Sequence, residues 1–209
     1  MNDYFRQEIN RVAEVHFSIR PVLVRALRQQ SITDEGRKWV GNFENYYELW
    51  TASFSDKFFD MATAIRLGSV IENCLKKYYM DQKGYITISQ LKTDRNYKRG
   101  IFQQVQSDQR KGVIWLYNEA GIYDLSTNKH LVSIQEAMMH RHLYAHNSGI
   151  IDDDYIDKIE EITGQDIKAL PQIAASYPTN DTYWFEPLTR LNDFIEEARR
   201  FFSLFPYHN

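Results

Sequence analysis

Apolar residues recur at three- and four-residue intervals along most of this 209-residue chain, and only 9 Gly and 5 Pro interrupt them. That period gives a helix one continuous apolar face, so the chain reads as all-α. No low-complexity linker or internal repeat divides it, and a single helical domain over residues 1–209 is expected. With 43% hydrophobic residues, including 12 Phe, 14 Tyr and 4 Trp, a sizeable core is available and disorder is excluded.

The first helix carries Ile9, Val12, Val15 and Ile19 as its apolar stripe. Pro21 either kinks it or begins a second segment with Leu23 and Leu27. A second helix opens at Asp34-Glu35 and presents Trp39, Phe43, Tyr46, Tyr47 and Trp50. The next, capped at Ser55-Asp56, runs through Phe59, Ala62, Ile65, Val70, Cys74 and Tyr78 to about Asp81, and Gly84 ends it. Residues 85–91 alternate and fit either a short strand or a loop leading into a helix. Further helices are expected around Trp115, from Leu131 to His146 with a stop at Asn147-Ser148-Gly149, and from Asp152-Asp153-Asp154 to Gly164. A short helix around Ile167–Ala175 and a tail helix from Glu186 to about Phe205 complete the bundle.

The formal net charge is −3, from 25 Lys plus Arg against 28 Asp plus Glu, so the chain carries no general polyanion-binding coat. The exception is local. Between residues 92 and 111 six basic residues, Lys92, Arg95, Lys98, Arg99, Arg110 and Lys111, meet only Asp94 and Asp108. They lie in a basic insertion spanning about residues 84–128. Such a segment is either a solvated surface loop or a track for an RNA backbone, with Tyr97 or Phe102 stacking on bases. The single cysteine, Cys74, rules out an internal disulfide framework and a cysteine zinc cluster, which fits a reducing cytoplasm. The polar start Met1–Arg6 is unlike a signal peptide, and no apolar run approaches the roughly 18 residues of a membrane span, so no membrane partner is expected.

The richest chemistry lies in His140-Arg141-His142-Leu143-Tyr144-Ala145-His146-Asn147-Ser148-Gly149. An Arg, a polar residue directly after it, and a His five positions on resemble the signature of the HEPN superfamily. The stretch Leu67–Tyr79, with Glu72 inside it, is similar to the earlier HEPN helix that bears an acidic residue. The resemblance implies a HEPN-like helical bundle acting as a homodimer, and a metal-independent endoribonuclease of the toxin or antiviral-defence kind. Its site would be Arg141 and His146, supported by His142 and Glu72, with no metal and no cofactor. An antitoxin or other regulatory protein is an expected partner. HEPN toxins controlled by a nucleotidyltransferase carry a Tyr two residues after the motif His, whereas this chain has Ser148, which argues against that form of control.

Physical chemistry reaches the same division of labour. Attack by a ribose 2′-hydroxyl needs a proton carrier that titrates near pH 7, which is histidine. It also needs a fixed cation for the charge growing on the phosphate, which is arginine. Residues five apart differ by about 140° around an ideal helix, so Arg141 and His146 converge only if the helix loosens between Ala145 and Gly149 or a second copy completes the site.

Plainer roles compete with these. Arg141 can pair with Glu136 or with the run Asp152–Asp154, His146 can serve as a C-terminal cap residue, and Glu72 can either orient Arg141 or His146 or face solvent. His142 and His146, four apart, also suit a metal pair, although no neighbouring Cys or Glu supplies the usual motif. Tyr78 and Tyr79 suit the core or a dimer interface. The alternatives to an enzyme are a non-catalytic HEPN module that binds RNA or a nucleotide, and a structural helical interaction protein.

Overall fold

The computed structural model describes residues 3–28, 55–97, 112–147, 149–166, 173–179, 182–185 and 188–206. Helix α1 (Asp3–Arg28) and helix α2 (Ser55–Lys83) pack side by side. The later helices α5 (Leu131–Asn147) and α7 (Leu188–Ser203) close the bundle, with α5 laid along α2 and α7 against both α1 and α5. The predominantly helical architecture matches the periodicity. The helix expected around Trp39–Trp50 lies outside the described residues.

Helix α1 is one unbroken element that continues through Pro21. Its buried stripe is Phe5, Ile9, Val12, Ala13 and His16, while Val15, Ile19 and Val22 are at least half exposed. The core face is therefore rotated from the one expected. Two polar residues cause the rotation. Asp60 of α2 is fully buried and accepts the Nε (2.9 Å) and Nη2 (3.2 Å) donors of Arg20. His16 Nδ1 lies 3.4 Å from the Thr63 hydroxyl. A buried carboxylate needs a charged, hydrogen-bonding partner, and that need turns His16 and Arg20 inward. Cys74, on the same helix α2, is completely buried.

After Gly84 the chain makes a short helix α3 (Ile88–Thr93), opened by a capping box in which Thr87 and Gln90 satisfy each other's backbone N–H groups. Of the two readings for residues 85–91, the loop into a helix is the one found. Asp94 fixes the following turn by accepting from the Tyr85 hydroxyl (2.8 Å), the Tyr79 hydroxyl (3.1 Å) and the Tyr97 amide (2.8 Å). Helix α4 (Val113–Glu119) and a 3₁₀ turn at Leu125–Thr127 lead into α5.

Beyond α5, Asp152 caps helix α6 (Asp153–Thr163) through a 2.8 Å bond from the Tyr155 amide, and Gly164 ends it at φ +66°. A three-stranded antiparallel sheet follows the order β1-β3-β2, with β1 at Ile150–Ile151, β2 at Ile173–Thr179 and β3 at Thr182–Phe185. Ile150 pairs with Trp184, and Ile173 with Phe185. Residues 173–175 are thus strand, not the end of a short helix, and residues 167–172 lie outside the described residues. Pairing with β3 decides the preference, and Pro178 is compatible with it. A helix interior loses a hydrogen bond and clashes at proline, whereas β2 is an edge strand that needs no amide on its open side. No helix among the described residues is long and apolar enough to cross a membrane.

Candidate functional site

Successive residues of α5 point about 100° apart, so the motif is dealt out to different surroundings. His140 is fully buried, with ring centres 5.1 Å from Phe194, 6.1 Å from Tyr155 and 6.4 Å from Tyr144. Burial, helped by the Arg190 charge, pushes its pKa down to about 3, so it is neutral across the physiological range. Leu143 and Tyr144 also enter the core. His142 and His146 are exposed on the outer face, and Arg141 is half-buried between the two sides.

Arg141 leans on α2. Its stem passes over Gly68, where an added Cβ would lie 2.5 Å from Arg141 Cγ and 2.6 Å from Arg141 Cβ. One turn later Glu72 takes the guanidinium, with Nη2 3.8 Å from Oε2, and the other carboxylate oxygen faces Lys76 Nζ at 3.4 Å. Arg141 Nε is buried and makes no hydrogen bond among the described residues. At 3.8 Å the contact with Glu72 is an ion pair and not a hydrogen bond. Of the roles open to Glu72, contact with Arg141 is the one found. The competing partner Glu136 is occupied elsewhere, because its buried carboxylate is paired with Arg190 of α7.

His142 and His146 stand with ring centres 4.6 Å apart and planes tilted by 48°. Partial desolvation lowers the His142 pKa, the charges of His146, Lys158 and Arg141 push the same way, and Asp154 opposes them. Of the two routes by which Arg141 and His146 could converge, loosening of the helix is not seen as far as Asn147, where α5 is still helical. Gly149 then closes the end at φ +85°, its amide donating to the Leu143 carbonyl at 3.2 Å. A side chain there would press on the Tyr144 ring at 3.3 Å. Within one copy of the chain, therefore, His146 shares its face with His142 and not with Arg141.

Of the basic segment, Lys92 and Arg95 are exposed, while Lys98, Arg99, Arg110 and Lys111 lie outside the described residues, as does Phe102. Tyr97 is partly buried and packs against the core. Tyr78 and Tyr79 are core residues.

Sequence reasoning missed the buried cluster of His16, Arg20, Asp60 and Thr63. Its signal is the spacing of His16 and Arg20, four apart and continuous with Ile9 and Val12, together with an Asp near the start of an apolar helix. A cavity of about 200 Å³ opens there, lined by His16, Phe17, Arg20, Pro21 and Asn192. An apolar groove of about 310 Å³ between α1 and α2 is lined by Val12, Val15, Phe59 and Ala62, with Arg11 and Arg66 among its polar walls. Neither cavity is lined by Arg141, His142 or His146. No family model matches the chain, and neither a curated protein nor a solved structure matches it.

Proposed function

We propose that this protein is a HEPN-like endoribonuclease that cleaves RNA without a metal, by attack of the ribose 2′-hydroxyl on the adjacent phosphate. The observation that carries the reading is the exposed His142–His146 pair at the end of α5, with Arg141 on a different side of the same helix, held against Glu72 and Gly68 of α2. In this mechanism His146 accepts the 2′-hydroxyl proton, and His142 lies against its ring and fixes its orientation. The 5′-oxygen leaves with a proton drawn from solvent, His146 later releases to solvent the one it took, and the products are a 2′,3′-cyclic phosphate and a 5′-hydroxyl. Arg141 faces the phosphate. Its ion pair with Glu72 contains no hydrogen bond at 3.8 Å, so donors remain for a phosphate oxygen. Because α5 keeps Arg141 and His146 about 140° apart, the cation and the proton carrier at one phosphate come from two copies of the chain. A symmetric homodimer is the simplest assembly that supplies both. Lys92, Arg95 and the basic residues after them follow the RNA backbone. A toxin or defence effector of this kind, held in check by a regulatory protein in the cytoplasm, is the biological setting that the resemblance suggests.

The test is cleavage of RNA by purified protein in excess chelator, with end-group mapping of the products. His146→Ala should lose about 10²–10⁴ in rate. Arg141→Ala should lose about 10²–10³, by analogy with the removal of a charge-stabilising donor. A folded His146→Ala protein that cleaves at the wild-type rate would remove this histidine from the mechanism, and a monomer in light scattering would remove the composite site.

One observation favours a second reading. Arg141 is already neutralised by Glu72, as in a non-catalytic module that binds RNA through the basic insertion. That module would retain RNA without generating ends, so the same gel decides between the two.

A further inference from the structure

The ring separation of His142 and His146 matches a chelate. A late first-row cation sits about 2.0–2.1 Å from each imidazole nitrogen, hence roughly 3.2 Å from each ring centre. For angles at the metal between about 90° and the tetrahedral value, the two ring centres then lie about 4.5–5.2 Å apart. The rings of His142 and His146 are 4.6 Å apart. They are tilted and not stacked flat, and both are exposed, so a cation could reach them without opening the core. One turn of rigid helix sets their spacing, so little ordering is needed on binding.

The other described histidines are differently placed. His16 is enclosed near Thr63 and Asp60, His130 Nδ1 is 2.5 Å from a Glu197 carboxylate oxygen, and His140 is fully buried. Among the described residues no group of three or more His, Cys, Asp or Glu side chains comes together as a metal cage. Among the described residues the site therefore has two nitrogen donors, and water fills the remaining positions. Such a site selects Ni²⁺, Cu²⁺ and Zn²⁺ over the oxygen-seeking Mg²⁺ and Ca²⁺.

We propose that His142 and His146 form a surface site for a late first-row divalent cation, and that occupancy of this site switches the protein off. The inhibition, though not the binding, rests on the nuclease reading above. A cation on His146 takes the nitrogen lone pair that would otherwise accept the 2′-hydroxyl proton. The metal is thus an inhibitor of the reaction and has no part in its chemistry.

Binding is measured first, without RNA, by equilibrium dialysis of the full chain against Ni²⁺ or Zn²⁺, with Mg²⁺ present in excess. The wild type should bind Ni²⁺ more tightly than Zn²⁺ under these conditions. His142→Ala and His146→Gln should each weaken binding by about tenfold or more, since losing a ligand costs at least what losing an outer-shell partner does. His208→Ala controls for the remaining histidine, and circular dichroism confirms that every variant is folded. Absence of Ni²⁺ binding by the wild type, or equal affinity in His142→Ala, overturns the site. With the site in hand, Ni²⁺ added to the cleavage assay should stop it and chelator should restore it. Undiminished cleavage at saturating Ni²⁺ overturns the switch. Metal binding by a protein that cleaves no RNA at all, with or without chelator, would remove the nuclease reading and the switch built on it while the site stands.

Discussion

Replacing Gly68 by alanine probes the contact that sets Arg141 against α2. An alanine Cβ would stand 2.5 Å from Arg141 Cγ and 2.6 Å from Arg141 Cβ, where carbon atoms normally rest about 3.5–4.0 Å apart. The Arg141 Cβ is fixed to the α5 backbone and cannot rotate away, so α2 and α5 must part by roughly 1 Å. Overpacking of this kind costs about 1–3 kcal/mol. Against it stands the ordinary gain for Gly→Ala inside a helix, about 1 kcal/mol. The balance is a loss of about 1 kcal/mol, or a melting temperature lower by about 2–4 °C for a chain of this size. Urea denaturation followed by circular dichroism measures it, with an unchanged slope showing that the midpoint shift is a change in stability. The decisive comparison is in an Arg141→Gly background, where both clashing atoms are gone and Gly68→Ala should become stabilising. Stabilisation by Gly68→Ala in the wild-type background would refute the close approach, and with it the placement of Arg141.

His140 should make the fold acid-sensitive. Its folded pKa of about 3 lies below the unfolded value of 6.5, so the unfolded chain binds the extra proton and stability falls as pH drops from 6.5 toward 3. The loss is roughly 3 kcal/mol at pH 4, and His140→Phe should remove most of that pH dependence in melts taken at pH 7 and pH 4. Cys74, fully buried with its thiol pushed up to about 12, should react with a thiol reagent only as fast as the protein unfolds. Rapid stoichiometric labelling under native conditions would contradict its placement. Asp60→Ala should cost about 1.5–3 kcal/mol in denaturant titrations, because Arg20 and His16 lose a buried carboxylate partner. A change below about 1 kcal/mol would show that the buried ion pair does not organise this end of the bundle.

Features that depend on a few consecutive residues are legible in the chain itself. The stop at Asn147-Ser148-Gly149, the Asp152 cap and the Gly164 terminus of α6 are all found where the local chemistry puts them, because capping and left-handed glycine act within one turn. Periodicity likewise marks the long helices and part of their core, Ile9, Val12, Val70, Cys74 and Ile195 among them, whereas Val15, Ile19 and Ala62 of the expected stripes are exposed. Arg141 and Glu72 stand out in the sequence as chemistry-bearing, but their meeting is there only one option among several. Glu136 stands one and a half turns from Arg141 on the same helix, and it is Arg190 of a distant helix that claims it.

Other matters are settled between elements far apart in the chain, and these were left to the packing of the whole molecule. The face that α1 turns inward depends on Asp60, a residue 40 positions beyond Arg20, because a buried carboxylate outweighs the hydrophobic gain from covering Val15 and Ile19. The strand at Ile173–Thr179 exists through its pairing with Thr182–Phe185, which no helical period within the segment can express. The separation of His146 from Arg141 follows from α5 keeping its helical hydrogen bonds through Asn147, supported by the packing of Leu143 and Tyr144 in the core. Local sequence writes caps and periods, whereas long-range burial and pairing choose which side of each helix faces in.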